Sequence, residues 1–442
     1  MTFPRQRVAI VGSGISGLGA ALALAPHHDV TLFEKEGRLG GHANTARIDY
    51  PSPGGSVPVN VDTGFIVYNE KTYPNLTAFF AHYDVPTEWS DMSLSFTVDG
   101  GRIEWAGDDL NRIFAQRRNL LRPSFIGAMR QVLRFNREAQ ETLASSDAHD
   151  EPIAEWLDAR GYSQAFRRLY LYPMAGAIWS TRSADIAAFP ARSLFAFYAN
   201  HDLFAGLGDA VQWRTVTGGS RSYVERAATE LGSSLLTDAA VAAVTASGGG
   251  VTVALESGER HAFDHVILAT HSDEALALHP DADSETRALL ADIRYTPNRA
   301  VLHRDPSLMP RTRRAWSSWN AVVDESVSES ASLTYWMNRL QNINRAMPLF
   351  VTLNPHRDPD PETVFGEYEY AHPFYDGAAF AAQSAFDRVQ GRGGVWYAGA
   401  WLGYGFHEDG LRAGLRVAEA FGARPAWARE TGIPLAPGTM AA

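Results

Sequence analysis

Two stretches at opposite ends of this chain share one local grammar: an apolar strand, a glycine-rich turn, then a helix pattern. The first is VAIVGSGISGLGAA and the second VWYAGAWLGYGFHEDGLRAG. A strand that passes through glycines directly into a helix commits the chain to a parallel sheet with crossover helices. In the first junction Arg7 to Val11 reads as a strand buried on both faces, and Gly12, Gly14 and Gly17 complete GxGxxG around Ser16. The first glycine serves the tight turn, the second lets a pyrophosphate approach the backbone, and the third lets helix and strand pack closely. A second strand, DVTLF, ends at Glu34 with Lys35 beside it, where an acid receives ribose hydroxyls. Together these features predict a dinucleotide site and leave NAD and FAD both open.

The second junction carries His407, Glu408 and Asp409 in its turn, charges that would repel a phosphate. It therefore needs a different task from the first.

Composition narrows the class. At 442 residues the chain predicts two domains, and a 45% apolar content supplies their cores. A net charge of −11 argues against a nucleic-acid partner, because phosphate neutralisation needs a basic face. With no cysteine there are no disulfides and no thiolate chemistry, and no metal-ligand spacing is apparent. No signal peptide is visible and no apolar run approaches the ~20 residues of a membrane helix, so the expectation is a soluble, cytoplasmic protein. Lysine occurs only at Lys35 and Lys71; every other fixed cation is arginine.

EKEGRLGGHANT (34–45) resembles the E-x-x-x-R-x-GG extension of the flavin-containing amine oxidase and phytoene desaturase superfamily. NVDTGFIVYNEKTYPNL (60–76) is similar to that superfamily's D-x-G segment, RTVTGGSRSYVERAATEL (214–231) to its GG turn, and the C-terminal junction to its last FAD motif. The resemblance implies FAD, held by Arg38, Gly40 and Gly41 and by Thr63 and Gly64, with Gly399, His407, Gly410 and Leu411 at the ring. His42 stands where the amine oxidases usually have arginine and is counted with this set. The whole length is similar to a bacterial amine-oxidase-like subgroup that accompanies cyclopropane-fatty-acid synthase. That similarity implies a lipid acyl substrate and a lipid methyltransferase as a possible partner.

The implied fold is α/β, a Rossmann-like FAD-binding domain interleaved with an α+β substrate domain. Residues 1–75, 206–285 and 391–430 are assigned to the first, and 76–205 and 286–390 to the second. Residues 235–270 alternate like a β-meander ending in the strand VILAT. Residues 108–205 look helical, and RAVLHRD, SLTYWMN, PLFVTL and TVFGEYEY read as an antiparallel sheet. Within 112–138, arginines interleave with leucines and phenylalanines. This reads either as a bundle helix with a solvated arginine face or as a peripheral membrane contact.

Reduced flavin carries negative charge that a helix N-terminus stabilises, which is the task expected of residues 406–410. Amine oxidases of the superfamily commonly hold a lysine bridged by water to the flavin N5. Lys35 follows the ribose acid, Lys71 has no mark of that role, and the central and C-terminal sheet has no lysine. His407 is the candidate acid–base residue, the alternative being a hydrogen bond across the turn; His42 and His271 rank below it. Tyr68, Trp336, Trp401 and Tyr404 are candidate aromatic partners of the substrate. The expected reaction moves hydride from an apolar substrate to flavin and desaturates a methylated or cyclopropane acyl chain. Amine oxidation with oxygen, redox-neutral isomerisation of an unsaturated lipid, and a non-catalytic flavoprotein partner are the alternatives.

Overall fold

A computed structural model describes residues 4–145, 150–179, 183–201, 203–204, 211–323 and 332–429. Its centre is a five-stranded sheet, every pairing parallel, in the order Leu235–Leu236, Asp29–Phe33, Arg7–Val11, His265–Leu268, Val395–Tyr397. Three of these strands, apolar almost throughout, are buried on both faces, as a sheet covered by helices requires. Because all run the same way, the turns after Val11, Phe33, Leu268 and Tyr397 leave one edge of the sheet. In open α/β sheets that carboxyl edge is where ligands bind.

The alternating stretch after this sheet's short edge strand forms the antiparallel Val241–Ser247, Gly250–Leu255 and Arg260–Phe263, and VILAT joins the parallel sheet. A second, seven-stranded sheet has the order Val364–Pro373, Tyr295–His303, Phe350–Leu353, Ser332–Trp336, Trp319–Val323, Leu94–Val98, Ile103–Ala106. The four runs expected to be strands are neighbours here and pair antiparallel. The sheet differs from an all-antiparallel one where Leu94–Val98 pairs parallel with Trp319–Val323. Alternation within a strand gives its faces but not its partner, so this pairing had no local signal.

Parallel strands lie at 7–11, 29–33, 235–236, 265–268 and 395–397, while the large sheet uses 94–106 and 295–373. The assigned domain boundaries at 205/206 and at 430 fall outside the described residues.

Helices pack beside this sheet, with Tyr172–Trp179 against the strand Trp319–Val323. The arginine-rich stretch is not one helix: it divides into Leu110–Ile113, a 3-10 turn Arg117–Leu121 and a long helix Pro123–Ala144. Pro123 has no N–H to continue a helix and drives Arg122 to φ −106°, ψ 102°. The long helix buries Phe125, Ala128, Phe135 and Ala139. Phe135 packs against Trp156, Tyr162, Phe166 and Phe195.

Candidate active site

The two glycine junctions meet. The first helix, Ile15–Leu24, packs closely on the last, His407–Ala420, through glycines. A Cβ on Gly410 would lie 2.8 Å from Ile15 Cγ2, one on Gly414 would collide with the Ser16 carbonyl oxygen, and one on Gly19 would lie 2.5 Å from Leu411 Cδ1. Gly410 lets the helices approach closely, and the Leu411 side chain fills that contact. Ser16 is buried there too, beneath the C-terminal helix.

The GxGxxG turn divides as its chemistry requires. Gly12 has φ +101°, and a Cβ there would lie 2.8 Å from the Ala269 carbonyl oxygen. One on Gly17 would collide with the Gly12 carbonyl. Around Gly14, the residue before the first helical turn, nothing lies within 4 Å of a Cβ position. Protein closes the turn on two sides and leaves it open on the third, a cradle for a pyrophosphate at a helix N-terminus. The R-x-GG turn folds over it: Gly41, with φ +57°, comes within 3.2 Å (Cβ position) of Gly14 Cα. Arg38 donates to the Gly41 carbonyl at 2.8 Å, fixing this second loop, and Gly40 N–H donates to Ser13 Oγ at 3.1 Å.

Glu34 lies at the end of its strand, where its Oε2 accepts from Ser13 N–H (3.0 Å) and O–H (2.5 Å) and its Oε1 from Glu36 N–H (3.0 Å). Lys35 points outward and pairs with Glu274 at 2.8 Å. The D-x-G segment is bound to the same loop: Thr63 Oγ1 bonds Tyr370 Oη at 2.6 Å, and Phe65 N–H donates to the His42 carbonyl at 2.7 Å. Gly64 faces that carbonyl too closely for any side chain. Asp62 accepts from Thr45 Oγ1, Ser220 N–H and Oγ, and Gln341 Nε2, joining this segment to the GG turn. Burial raises its carboxyl to about 6.

His407 lies at the start of the C-terminal helix with its ring stacked on Phe65, centroids 3.7 Å apart. Its Nε2 is 3.0 Å from Tyr223 Oη. Desolvation lowers its pKa to about 3, so the ring is neutral at any physiological pH. The two acids beside it turn away. Glu408 accepts from Asn75 N–H and Nδ2 and from Leu76 N–H, capping the helix Pro74–His82. Asp409 accepts from the Tyr404 and Phe406 N–H groups and from Arg412, while burial raises it to about 6. Both carboxylates are thus committed to donors, which answers why acids are tolerated in this turn.

A second imidazole group was not legible in the sequence. His42 is 5.7 Å from His271 and 5.9 Å from His372 by ring centroids, and 5.1 Å from Tyr370. Burial is the leading cause of the lowered pKa of His42 and of His372, the latter to about 4. His42, His372 and His407 are each partly buried and retain some accessible surface. Tyr368, Tyr370 and His372 alternate on the strand Val364–Pro373 and share a face, a period that YEYAH displays but that names no partner.

The proposed aromatic partners separate. Trp401 is buried over Gly399, its Nε1 donating to the Thr270 carbonyl at 3.0 Å. Tyr68 is buried against Phe80, and Trp336 belongs to a separate cluster with Met309, Trp316 and Phe350. Tyr404 keeps accessible surface and packs with Phe406 on Phe197. Lys71 is exposed, so both lysines lie on the outer surface.

Comparison with known proteins places this geometry. The profile of the "Flavin containing amine oxidoreductase" family matches residues 15–305. AofH of Mycobacterium tuberculosis, itself provisionally assigned as a flavin-containing monoamine oxidase, is 23% identical over 79% of this chain and 71% of its own. The CLA-producing fatty acid isomerase from P. acnes superposes with a TM-score of 0.64 at 16% identity, covering 92% of this chain and 97% of that one. Cyclohexylamine oxidase from Brevibacterium oxydans IH-35A gives 0.64 at 18%, covering 95% and 99%. The cradle at Gly14, open around its Cβ position, the fixed Arg38 loop and the adjoining C-terminal helix fit FAD. This chain belongs to the flavin-containing amine oxidoreductase family and is an FAD-dependent oxidoreductase.

Proposed function

We propose that the enzyme desaturates an apolar substrate, a methylated or cyclopropane-bearing fatty-acyl chain, rather than oxidising an amine. The observation that carries this reading is the position of the lysines: the chain has two, and both face outward, far from the role of a lysine at the flavin N5. The nearby ring-end groups are Phe65, Tyr223, Tyr404, Phe406 and neutral imidazoles. The neighbouring acids Asp62, Glu408 and Asp409 are engaged by protein donors, which leaves them poorly placed to receive an ammonium. Apolar walls with a few polar groups suit an acyl chain. The fold shared with a fatty acid isomerase supports the same class of substrate.

Bound flavin supplies the hydride acceptor. One substrate carbon loses hydride, its neighbour loses a proton to His407, and the two carbons become doubly bonded. Burial makes His407 a weak base, so the proton it takes is one that hydride loss from the neighbouring carbon has made acidic; the tautomer whose Nε2–H donates to Tyr223 Oη leaves Nδ1 unprotonated to receive it. Phe65 holds the ring plane by stacking. A lipid methyltransferase is the partner that would supply a modified chain.

Amine oxidation has in its favour the assignment of AofH and the same fold in cyclohexylamine oxidase. Anaerobic mixing of the holoenzyme with lipids bearing modified acyl chains, followed by flavin absorbance and product mass spectrometry, distinguishes the two. Flavin bleaching with loss of two hydrogens from the acyl chain is expected. Bleaching by amines and not by lipids overturns the proposal, and a rearranged acyl chain of unchanged mass makes the reaction an isomerisation.

A further inference from the structure

Large apolar side chains are exposed at seven described positions, and four of them, Leu110, Leu120, Leu121 and Leu133, fall within one short segment. Leu121 is 86% and Leu133 69% exposed. They sit on the 3-10 turn Arg117–Leu121, its neighbouring helix, and the outer face of the helix Pro123–Ala144. On that long helix Arg130, Leu133 and Arg137 follow at helical spacing, opposite the buried Phe125, Ala128, Phe135 and Ala139. Isolated exposed leucines need no explanation, but a group framed by cations on an acidic protein does.

The cations are held in place. Arg118 donates to the Gly101 and Arg102 carbonyls and Arg122 to the Arg102 carbonyl, gathering three guanidinium-bearing residues beside Leu120 and Leu121. Arg112, paired with Asp108, donates to the Arg314 and Trp316 carbonyls and brings the exposed Arg313 and Arg314 alongside. Glu138 is occupied by Arg134 and Tyr162, and Glu141 pairs with Arg137 at 3.7 Å, where the basic face ends; Arg117, Arg118, Arg122 and Arg130 have no carboxylate partner among the described ion pairs. This patch is positive on a chain of net charge −11.

We propose that this face docks on a bilayer containing anionic lipid, with the leucines at the headgroup–acyl boundary and the arginines on lipid phosphates. Charge complementarity chooses the occupant. A two-fold contact between copies would set arginine against arginine. A nucleic acid would satisfy the arginines but leave the leucines against a hydrated phosphate backbone. Only an anionic bilayer answers both groups of side chains. No described helix is long and apolar enough to cross a membrane, so the contact is peripheral. The inference stands independently of the acyl-substrate reading, because it rests on the outer face alone.

The test is co-sedimentation of the FAD-loaded protein with phosphatidylglycerol-containing and with pure phosphatidylcholine vesicles. Binding to the first is expected, weakening with salt. Leu121→Glu with Leu133→Glu, and separately Arg130→Glu with Arg137→Glu, should each reduce partitioning by about tenfold or more. Flavin content and melting temperature should stay at the parent value; Leu121→Ser repeats the test if the double variant is unstable. Absence of binding to anionic vesicles at low salt overturns the proposal, as does binding that these variants leave unchanged. Dimerisation or DNA binding that depends on the same residues, without vesicle binding, reassigns the face.

Discussion

Gly414 and Ser16 are in backbone contact: a methyl group on the glycine would be driven into the serine carbonyl oxygen. Through this contact the helix after GxGxxG and the C-terminal helix become one rigid pair. Two segments from opposite ends of the chain are thereby held at a fixed separation.

Gly414→Ala is expected to push the helices apart and to cost about 1–3 kcal/mol, the usual range for overpacking. Thermal unfolding should show the loss, and the flavin-to-protein absorbance ratio should fall with it. An unchanged melting curve would show that the helices can shift without strain.

Gly14→Ala separates binding from folding. Nothing stands within 4 Å of a Cβ there, so the apo protein should melt normally, while FAD affinity falls about tenfold or more because the methyl group occupies the pyrophosphate's path. Gly17→Ala should damage both, since its methyl group meets the Gly12 carbonyl. Equal loss of fold in the two variants would contradict the open cradle.

His407→Ala is expected to retain FAD and lose about 10²–10⁴-fold in rate if the imidazole takes the substrate proton. Tyr223→Phe should lower the rate less, by releasing the ring tautomer. Because burial lowers His407 to about 3, the wild-type rate should show no histidine inflection near 6.5. A retained rate in His407→Ala, measured at full flavin occupancy, assigns the residue to packing alone.

Stability should fall as pH drops from neutral. His201, His303 and His372 titrate near 4 and His407 near 3 in the fold, against 6.5 when unfolded. Between those values the unfolded chain binds more protons, so each group favours unfolding by roughly 1.4 kcal/mol per pH unit. Asp62 and Asp409 work in the opposite sense between their model 3.8 and about 6, because there the folded state binds the proton. Glu408, also raised by burial, acts with these two, but four imidazoles outweigh three carboxyls. Denaturant midpoints across this range should decline steadily toward acid; a maximum near pH 5 would mean that the carboxyls dominate.

The sequence by itself determined the elements whose chemistry is local. GxGxxG between a strand and a buried helix, Glu34 at the next strand end and the R-x-GG turn are short-range patterns, each enforced by backbone conformation or by what a phosphate demands. Strands with clear alternation were legible for the same reason, since a half-buried sheet imposes its period directly. The break at Pro123 was also written there, in a residue without an N–H, although the amphipathic pattern ran over it.

Tertiary structure alone decided which side chains meet. Phe65, Tyr223 and His407 come from three segments, and nothing in the composition of any one of them names the others. The same holds for His42, His271 and His372, and for Glu408, whose local pattern reads as a cap for its own helix while its carboxylate caps the helix at Pro74. Backbone preference acts over a few residues and is read from sequence, whereas desolvation and ring stacking depend on which segments the closed core brings together.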